Sequence, residues 1–332
     1  MIYSCPRCKG QLQVSRSSRK FGTGFFYPTG RSYYCERCNA EYPIYEIYDF
    51  EIPDFIVDPK RREIAEHIEL ANKYAERYDH EEFFENRVIG FFKDFEESKI
   101  LPDIEKYYYE KNDRIRVLDI GCGTGRMISK LSDFVNAEIY GLDISSGMLK
   151  EAADRLMGRR NVKLLIGDSQ YLPFQGNVFD VCLMNFGVLS FAPDHDKVLR
   201  DLNFVMKRGA IVWMSTYNAD GLNFYISKFY EPSTVIKFSE KQNHIIVGGK
   251  EVYCRPFSID ELRDLLQKHG FEVIETSTIL SILPLLPSSL LQTKKNIVAE
   301  WIKRAGDLEM LAQRIDGLNR MGAYLIFKAK KV

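Results

Sequence analysis

An apolar run ending in three alternate glycines, Val117-Leu118-Asp119-Ile120-Gly121-Cys122-Gly123-Thr124-Gly125, constrains this chain more than any other stretch. A strand that enters such a turn can bring its backbone against a ligand, because glycine has no Cβ and reaches left-handed dihedrals freely. The spacing is G-x-G-x-G, not the G-x-G-x-x-G of dinucleotide-binding turns. Taken alone, the turn also fits a plain strand-to-helix connection, so the following strands decide its meaning.

The next apolar run, Ala137-Glu138-Ile139-Tyr140-Gly141-Leu142-Asp143, ends in a carboxylate eighteen residues after Gly125. A carboxylate at the tip of the second parallel strand can accept both ribose hydroxyls of a nucleoside. Ser145 reads as the cap of a helix with Met148, Leu149, Ala152 and Leu156 on its apolar side. A third strand over 162–166 runs into Gly167-Asp168-Ser169, and a fourth over 179–186 carries Asn185 near its end. A helix is predicted from about Lys197 to Lys207, stopping at Arg208-Gly209-Ala210, before a strand over 211–216. Ser258-Ile259-Asp260-Glu261 is a capping box. It opens a helix ended by Gly270, with strands over 271–274 and 324–328 after it.

These strand ends, in this order, resemble the class I S-adenosylmethionine (SAM) methyltransferases. The resemblance implies an α/β fold with a Rossmann-like seven-stranded sheet whose seventh strand is antiparallel. It implies that Gly121, Gly123 and Gly125 let the backbone approach SAM, and that Asp119 orients the turn or reaches the methionine amino group. It places Asp143 at the ribose, Ile144 in the cofactor site beside it, Asp168 and Ser169 at the adenine, and Asn185 facing the methyl group. Arg208-Gly209-Ala210 departs from the family's usual Lys-Pro-Gly-Gly turn. Asn185-Phe186-Gly187-Val188 lacks the Asn-Pro-Pro-Tyr motif of enzymes that hold a planar amino nucleophile, and no cysteine pair suggests a covalent pyrimidine mechanism.

Upstream, Ile64, Ile68, Ala71, Ala75 and Tyr78 share one helical face. The segment Tyr74-Ala75-Glu76-Arg77-Tyr78-Asp79 resembles the quinone-biosynthesis C-methyltransferases. In that group this helix covers the cofactor and one of its aromatics contacts SAM, which implies that role for Tyr78 and secondarily for Tyr74. An amphipathic helix with core-facing aromatics fits the same residues. A second amphipathic helix with Phe84, Val88, Phe91 and Phe95 is expected to pack on the sheet.

Cys5-Pro6-Arg7-Cys8 and Cys35-Glu36-Arg37-Cys38 are two C-x-x-C knuckles separated by twenty-six residues. Four such thiolates can surround zinc tetrahedrally. About fifty residues bury too little surface to fold well alone, and a metal supplies the missing staple. With Tyr42-Pro43-Ile44 after the second knuckle, the segment resembles the zinc-ribbon activator subunit of tRNA, rRNA and release-factor methyltransferases. It is similar as well to the ribbon fused to rRNA guanine methyltransferases. Between the knuckles, Arg16, Arg19, Lys20 and Arg31 alternate with Phe21, Phe25, Phe26, Tyr27, Tyr33 and Tyr34. Arginines on phosphates and aromatics under bases would suit single-stranded RNA. A small β module whose aromatics pack on its neighbour fits the same residues better, because aromatics in a small module are more often core.

The formal net charge of zero gives no global field to draw nucleic acid. The first residues lack the apolar core of a signal peptide. The apolar stretch 279–291, broken by Pro284 and Pro287, is too short to span a bilayer and reads as a buried connection. A cytoplasmic protein is therefore expected, one whose thiols stay reduced. Cys122 and Cys182 read as small packing residues.

The expected division is a zinc ribbon over 1–50, a linker and helical cover over 51–110, and a methyltransferase domain over 111–332. Substrate-side insertions fall at about 220–255 and 277–321. Standing before a linker, the ribbon is expected to serve the substrate and not the cofactor. His195 and Tyr217 are possible bases. Asp194 and Asp196 should raise the His195 pKa, and a solvated helix cap suits that trio better than catalysis, so no catalytic residue is assigned. The leading reading is methyl transfer to a small-molecule or lipid-like acceptor. The alternatives are an RNA methyltransferase that uses its ribbon for recognition, and a non-catalytic SAM-binding scaffold; a protein partner through the ribbon is also consistent.

Overall fold

A computed structural model gives the architecture and describes residues 2–18, 24–58, 62–80, 87–111, 113–134, 136–222, 237–238, 243–247, 250–283 and 296–332. Arg19, Lys20, Phe21 and Phe84 lie outside the described residues, as do Pro284, Pro287 and much of both expected insertions.

The N-terminal module is an antiparallel sheet of β1 (Gln13–Arg16), β2 (Tyr27–Cys35), β3 (Ala40–Ile47) and β4 (Phe50–Pro53). Helices α1 (Arg62–Tyr78) and α2 (Arg87–Lys111) follow. The core then alternates strand and helix: β5 (Ile115–Ile120), α3 (Arg126–Leu131), β6 (Ala137–Asp143), α4 (Ser146–Arg155), β7 (Val162–Ile166), β8 (Phe179–Met184), α5 (Val188–Phe191), α6 (His195–Val205) and β9 (Met206–Tyr217). Three short strands, β10 (Lys237–Phe238), β11 (His244–Val247) and β12 (Lys250–Tyr253), form a separate antiparallel sheet. The chain closes with α7 (Ile259–Lys268), β13 (Phe271–Ile279), α8 (Asn296–Ala312) and β14 (Tyr324–Lys331).

The main sheet has the order β13-β14-β9-β8-β5-β6-β7, with β14 antiparallel to both its neighbours. This is the seven-stranded arrangement expected from the sequence. Strands β5 to β8 are nearly continuous apolar runs because helices cover both faces of a parallel sheet. Strand order reverses beside β5, which pairs with β6 on one edge and β8 on the other. The crevice at such a switch point is where open α/β sheets bind ligands.

Both serines cap as read, but the Glu261 carboxylate pairs with Arg255 instead of closing the expected capping box. Ser145 Oγ accepts the Met148 amide at 3.0 Å, and Ser258 Oγ accepts the Glu261 amide at 3.1 Å. Several boundaries differ: β8 stops at Met184, two residues short of the 186 expected, and β14 continues to Lys331. Helix α6 ends at Val205, and β9 begins at Met206, running through Gly209 with φ 79°. Met206 pairs with Phe179, and the Lys207 ammonium binds Asp180 at 2.8 Å, so β8 captures residues that a helical pattern also fits. Strand β13 continues to Ile279, past the 271–274 expected.

The ribbon docks directly on the core. β4 reaches Pro53, Asp54 bridges in parallel to Ile166, and the Phe55 amide donates to Ile166 O at 2.9 Å. At the other end of the module, Ser4 bonds Pro173 O at 3.0 Å and Phe174 O at 2.7 Å. Tyr3 packs among Tyr33, Phe55, Tyr140 and Phe174, with ring centroids 5.5 to 6.4 Å away. Lys9, between Cys8 and Gly10, donates to Leu172 O at 2.7 Å and pairs with Asp201 at 2.6 Å. Several ribbon aromatics thus form an interface with the sheet edge; Tyr27 stays exposed. Among the described residues no helix is long and apolar enough to cross a membrane.

Candidate cofactor site and metal centre

Strand β5 delivers Asp119 and the glycine turn to the switch-point crevice. The amides of Gly121 and Cys122 donate to Leu142 O at 2.7 and 3.1 Å, which ties the turn to β6. All three glycines have positive φ, of 71°, 53° and 74°. Their surroundings differ. A Cβ on Gly121 would lie 2.3 Å from Val188 Cγ2, and one on Gly125 2.9 Å from Leu156 Cδ1, so α5 and α4 crowd these two. A Cβ on Gly123 would meet nothing within 4 Å. Of the three, Gly123 is the one whose bare backbone faces open space.

That space is a cleft, open to solvent and lined by Tyr78, Asp119, Gly121, Gly123, Asn185 and Phe186, among others. No hydrogen bond to the Asp119 carboxyl is found among the described residues, and burial pushes its pKa up to about 7, with the Arg126 guanidinium opposing. Both amide atoms of Asn185 are buried without a hydrogen-bond partner. Orphaned buried polar groups call for a missing partner, and a ligand bound in this cavity would supply one.

The remaining expected residues stand beside the cavity and not in its wall. Asp143, at the tip of β6, accepts the Gly123 and Ser145 amides, each at 2.8 Å. Half-buried Ile144 follows it. Asp168, beyond the end of β7, accepts the Gln170 amide at 2.9 Å, with half-buried Ser169 between them. The structure therefore gathers Tyr78, Asp119, Gly121, Gly123 and Asn185 in one cavity and strings Asp143, Ile144, Asp168 and Ser169 along the adjoining strand tips.

Helix α1 is clamped over this end of the sheet by residues the sequence reading did not assign. Asn72 Oδ1 accepts the Gly147 amide at 2.8 Å and Ser145 Oγ at 2.7 Å. Gly147 lacks a Cβ where Asn72 Cα would stand 3.0 Å from it. Asp79 accepts Thr124 Oγ1 at 2.8 Å and also binds Arg155. The one available signal was that Asp79 closes the Tyr-Ala-x-x-Tyr-Asp segment. Tyr74 is half-buried with Arg77 over its ring and does not line the cavity.

The two candidate bases are placed poorly for that role. Asp194 caps α6 by accepting the Lys197 amide at 2.9 Å, but His195 is buried, edge-on to Phe257, with Arg255 Nη1 3.3 Å from Nδ1. Burial and then Arg255 pull its pKa down from 6.5 to about 4, reversing the rise expected from Asp194 and Asp196. Asp196 is engaged elsewhere, by Lys268 and His269 at 2.7 Å each. Tyr217 is buried against Tyr324, and burial raises its phenol far above the range in which it could act as a base.

The depressed His195 pKa has a consequence for stability. The neutral ring's contribution is complete above pH 6.5 and is lost as pH falls from 6.5 through 4. The loss should be on the order of 1–2 kcal/mol after allowing for partial screening. Chemical denaturation of wild type and His195→Gln between pH 7 and pH 4 tests this. The variant should show the flatter curve, and equal slopes would place the acid sensitivity elsewhere.

In the ribbon, the sulfurs of Cys5, Cys8, Cys35 and Cys38 all lie within 4.8 Å of one another, with Cys8 and Cys35 3.7 Å apart. No disulfide joins them. A tetrahedral zinc with bonds of about 2.3 Å separates neighbouring sulfurs by roughly 3.8 Å, so this donor set fits zinc. Tyr42 Oη stands 3.4 Å from Cys5 Sγ, and a Cβ on Gly10 would lie 3.2 Å from Cys8 Sγ. Those contacts explain the tyrosine and the glycine beside the knuckles.

Residues 117–209 match the family model described as a methyltransferase domain. The chain is 31% identical over 173 residues to the demethylmenaquinone methyltransferase of Geobacillus kaustophilus, covering 48% of this chain and 72% of that relative. The chain belongs to the class I SAM-dependent methyltransferases. It is 37% identical over 100 residues to the demethylmenaquinone methyltransferase of Staphylococcus aureus, but this methyltransferase then spans only 41% of that relative and 30% of its own length. Among solved structures it is similar to the complex between the Haloferax volcanii Trm112 methyltransferase activator and a methyltransferase, at 14% identity and a TM-score of 0.49, covering 79% of this chain and 97% of that one.

Proposed function

We propose that this methyltransferase transfers the methyl group of SAM to a small or lipid-like acceptor. The unpartnered Asn185 amide, in a cavity it shares with the unbonded Asp119 carboxyl and the bare backbone of Gly123, is the observation that carries the reading. Asp119 would take the methionine ammonium, Asn185 would stand at the methyl end, and Tyr78 would close the cavity from α1. Asp143 and Ile144 would hold the ribose, and Asp168 and Ser169 the adenine. SAM brings its own leaving group, so the protein's work is to align the acceptor and exclude water. Cys5, Cys8, Cys35 and Cys38 would hold one structural zinc. The domain division carried forward is a ribbon, a helical cover and a core, with the ribbon's sheet reaching Pro53.

The acceptor side favours an apolar, planar molecule. Phe186 brings an aromatic ring into the cavity lining beside Asn185, and a buried stack backs it: Phe186 packs on Phe92 at 4.8 Å, Phe92 stacks on Tyr324 at 4.2 Å, and Tyr324 contacts Tyr217 at 4.8 Å. Two of the relatives are named for a demethylated quinone. The RNA reading loses support because Phe26 is buried and Tyr33 packs on Tyr3 and Phe55, which leaves Tyr27 as the exposed aromatic among the described residues of that set.

Titration calorimetry should show SAM and its demethylated product binding, and labelled SAM should pass its methyl group to hydroquinones with apolar tails in preference to RNA. Binding without transfer to any acceptor would favour a scaffold. Salt-sensitive binding of single-stranded RNA together with RNA methylation would reverse the choice of acceptor. Failure to bind SAM would end the enzymatic reading of the cavity.

A further inference from the structure

The turn that carries Asn185 is held in an unusual conformation by a residue outside the cavity's lining. Phe186 has φ 56° and Gly187 φ 82°, so two successive residues are left-handed and the first carries a bulky side chain. Such a conformation is strained for a residue with a bulky side chain and persists only where its surroundings over-determine it. Ser215 on β9 collects both amides of this turn: Phe186 N–H donates to Ser215 Oγ at 2.7 Å, and Gly187 N–H donates to Ser215 O at 2.9 Å. The Ser215 hydroxyl in turn donates to Glu96 Oε1 at 2.7 Å.

Glu96 is fully buried on α2. One helical turn earlier on the same face, Phe92 packs against the Phe186 ring at 4.8 Å. The Arg126 guanidinium also lies over that ring, 5.3 Å from its centroid. Arg126 binds Glu97 and stands 3.5 Å from Glu96 Oε2, while Lys130 also reaches Glu97 at 2.8 Å. Helix α2 therefore fixes both the backbone and the ring of Phe186, and the residue before it aims an unpartnered amide into the cavity.

We propose that Glu96 is the positioning residue of this site, acting through Ser215 to lock the Phe186–Gly187 turn so that Asn185 meets the bound cofactor. This rests on the reading that the cavity holds SAM. A carboxylate needs a strong reason to be buried. Here the reason is a hydroxyl that must be turned, with its hydrogen toward the acid, so that its oxygen can accept a backbone amide. Arg126 offsets part of the charge, and burial still pushes the Glu96 pKa up to about 7.

The test is a double-mutant cycle read by SAM affinity on the full chain. Glu96→Leu and Ser215→Ala should each weaken SAM on the order of tenfold, the scale of one lost charge-assisted hydrogen bond. Glu96→Gln keeps an acceptor for the Ser215 hydroxyl and should restore affinity to within about threefold of wild type, on the same scale. In an Asn185→Ala background, the Glu96→Leu and Ser215→Ala effects should largely vanish, because the group they position is gone. A general loss of structure would instead weaken SAM equally in both backgrounds, and that additivity overturns the proposal. Unchanged affinity in folded Ser215→Ala also overturns it, and this variant serves should Glu96→Leu fail to fold. If wild type does not bind SAM at all, both the proposal and the reading beneath it fall.

Discussion

Cys35→Ser is expected to abolish zinc binding and to cost several kcal/mol of stability, the largest effect of any single substitution considered. Structural zinc in small modules supplies folding free energy directly, because no preformed site exists in the unfolded chain. Wild type should carry about one equivalent per chain by metal mass spectrometry. The variant should carry little, and its main thermal transition should fall by many degrees. The contacts of the ribbon extend the consequence. Ser4 and Lys9 bond to Phe174 O and Leu172 O, on the segment that follows Asp168. Loss of the knuckle should therefore also weaken SAM, against the expectation from sequence that the ribbon serves only the substrate. Wild type with far less than one equivalent, or Cys35→Ser that keeps its metal, would refute the site. An unchanged SAM affinity in the metal-free protein, with its core still folded, would restore the separation of ribbon and cofactor.

Asp143→Ala should reduce SAM affinity by roughly ten- to a hundredfold, the loss of one charge-assisted bidentate contact. The structure adds a second reason for a large effect. The same carboxylate accepts the Gly123 and Ser145 amides, so its removal leaves two donors unanswered and loosens the glycine turn and the start of α4 together. Calorimetry with SAM and with its demethylated product measures the first part. A thermal melt without ligand measures the second, which should fall by a few degrees. Equal affinity in wild type and variant would remove Asp143 from the ribose contact; an unchanged melt would show that the turn holds without it.

Much of the fold was legible because its signals are local. The strands at 137–143 and 162–166 have the bounds read from the sequence, since a buried parallel strand is an unbroken apolar run between turn residues. Ser145 and Ser258 cap their helices through bonds three residues away, and the cysteine knuckles carry their own spacing. The boundary at 205–206 was not legible, because the pattern there suits a helix or a strand and only pairing with β8 chooses. His195 was misjudged for a similar reason. Its sequence neighbours are two acids, but its spatial neighbours are Arg255 and Phe257, brought from sixty residues away.

The sequence alone determined the parallel sheet, the glycine turn at its switch point, the acids at successive strand ends and the four thiolates, because each rests on residues a few positions apart. The tertiary structure decided that Gly123 has open space where a Cβ would stand while Gly121 and Gly125 are crowded by packing, and that Asn72 and Asp79 clamp α1 over the turn. It also decided that the ribbon joins the sheet edge through Tyr3 and Phe55, and that Glu96 reaches Asn185's turn through Ser215. Each of these depends on contacts between residues far apart in the chain, whose burial and partners exist only once the layers have packed.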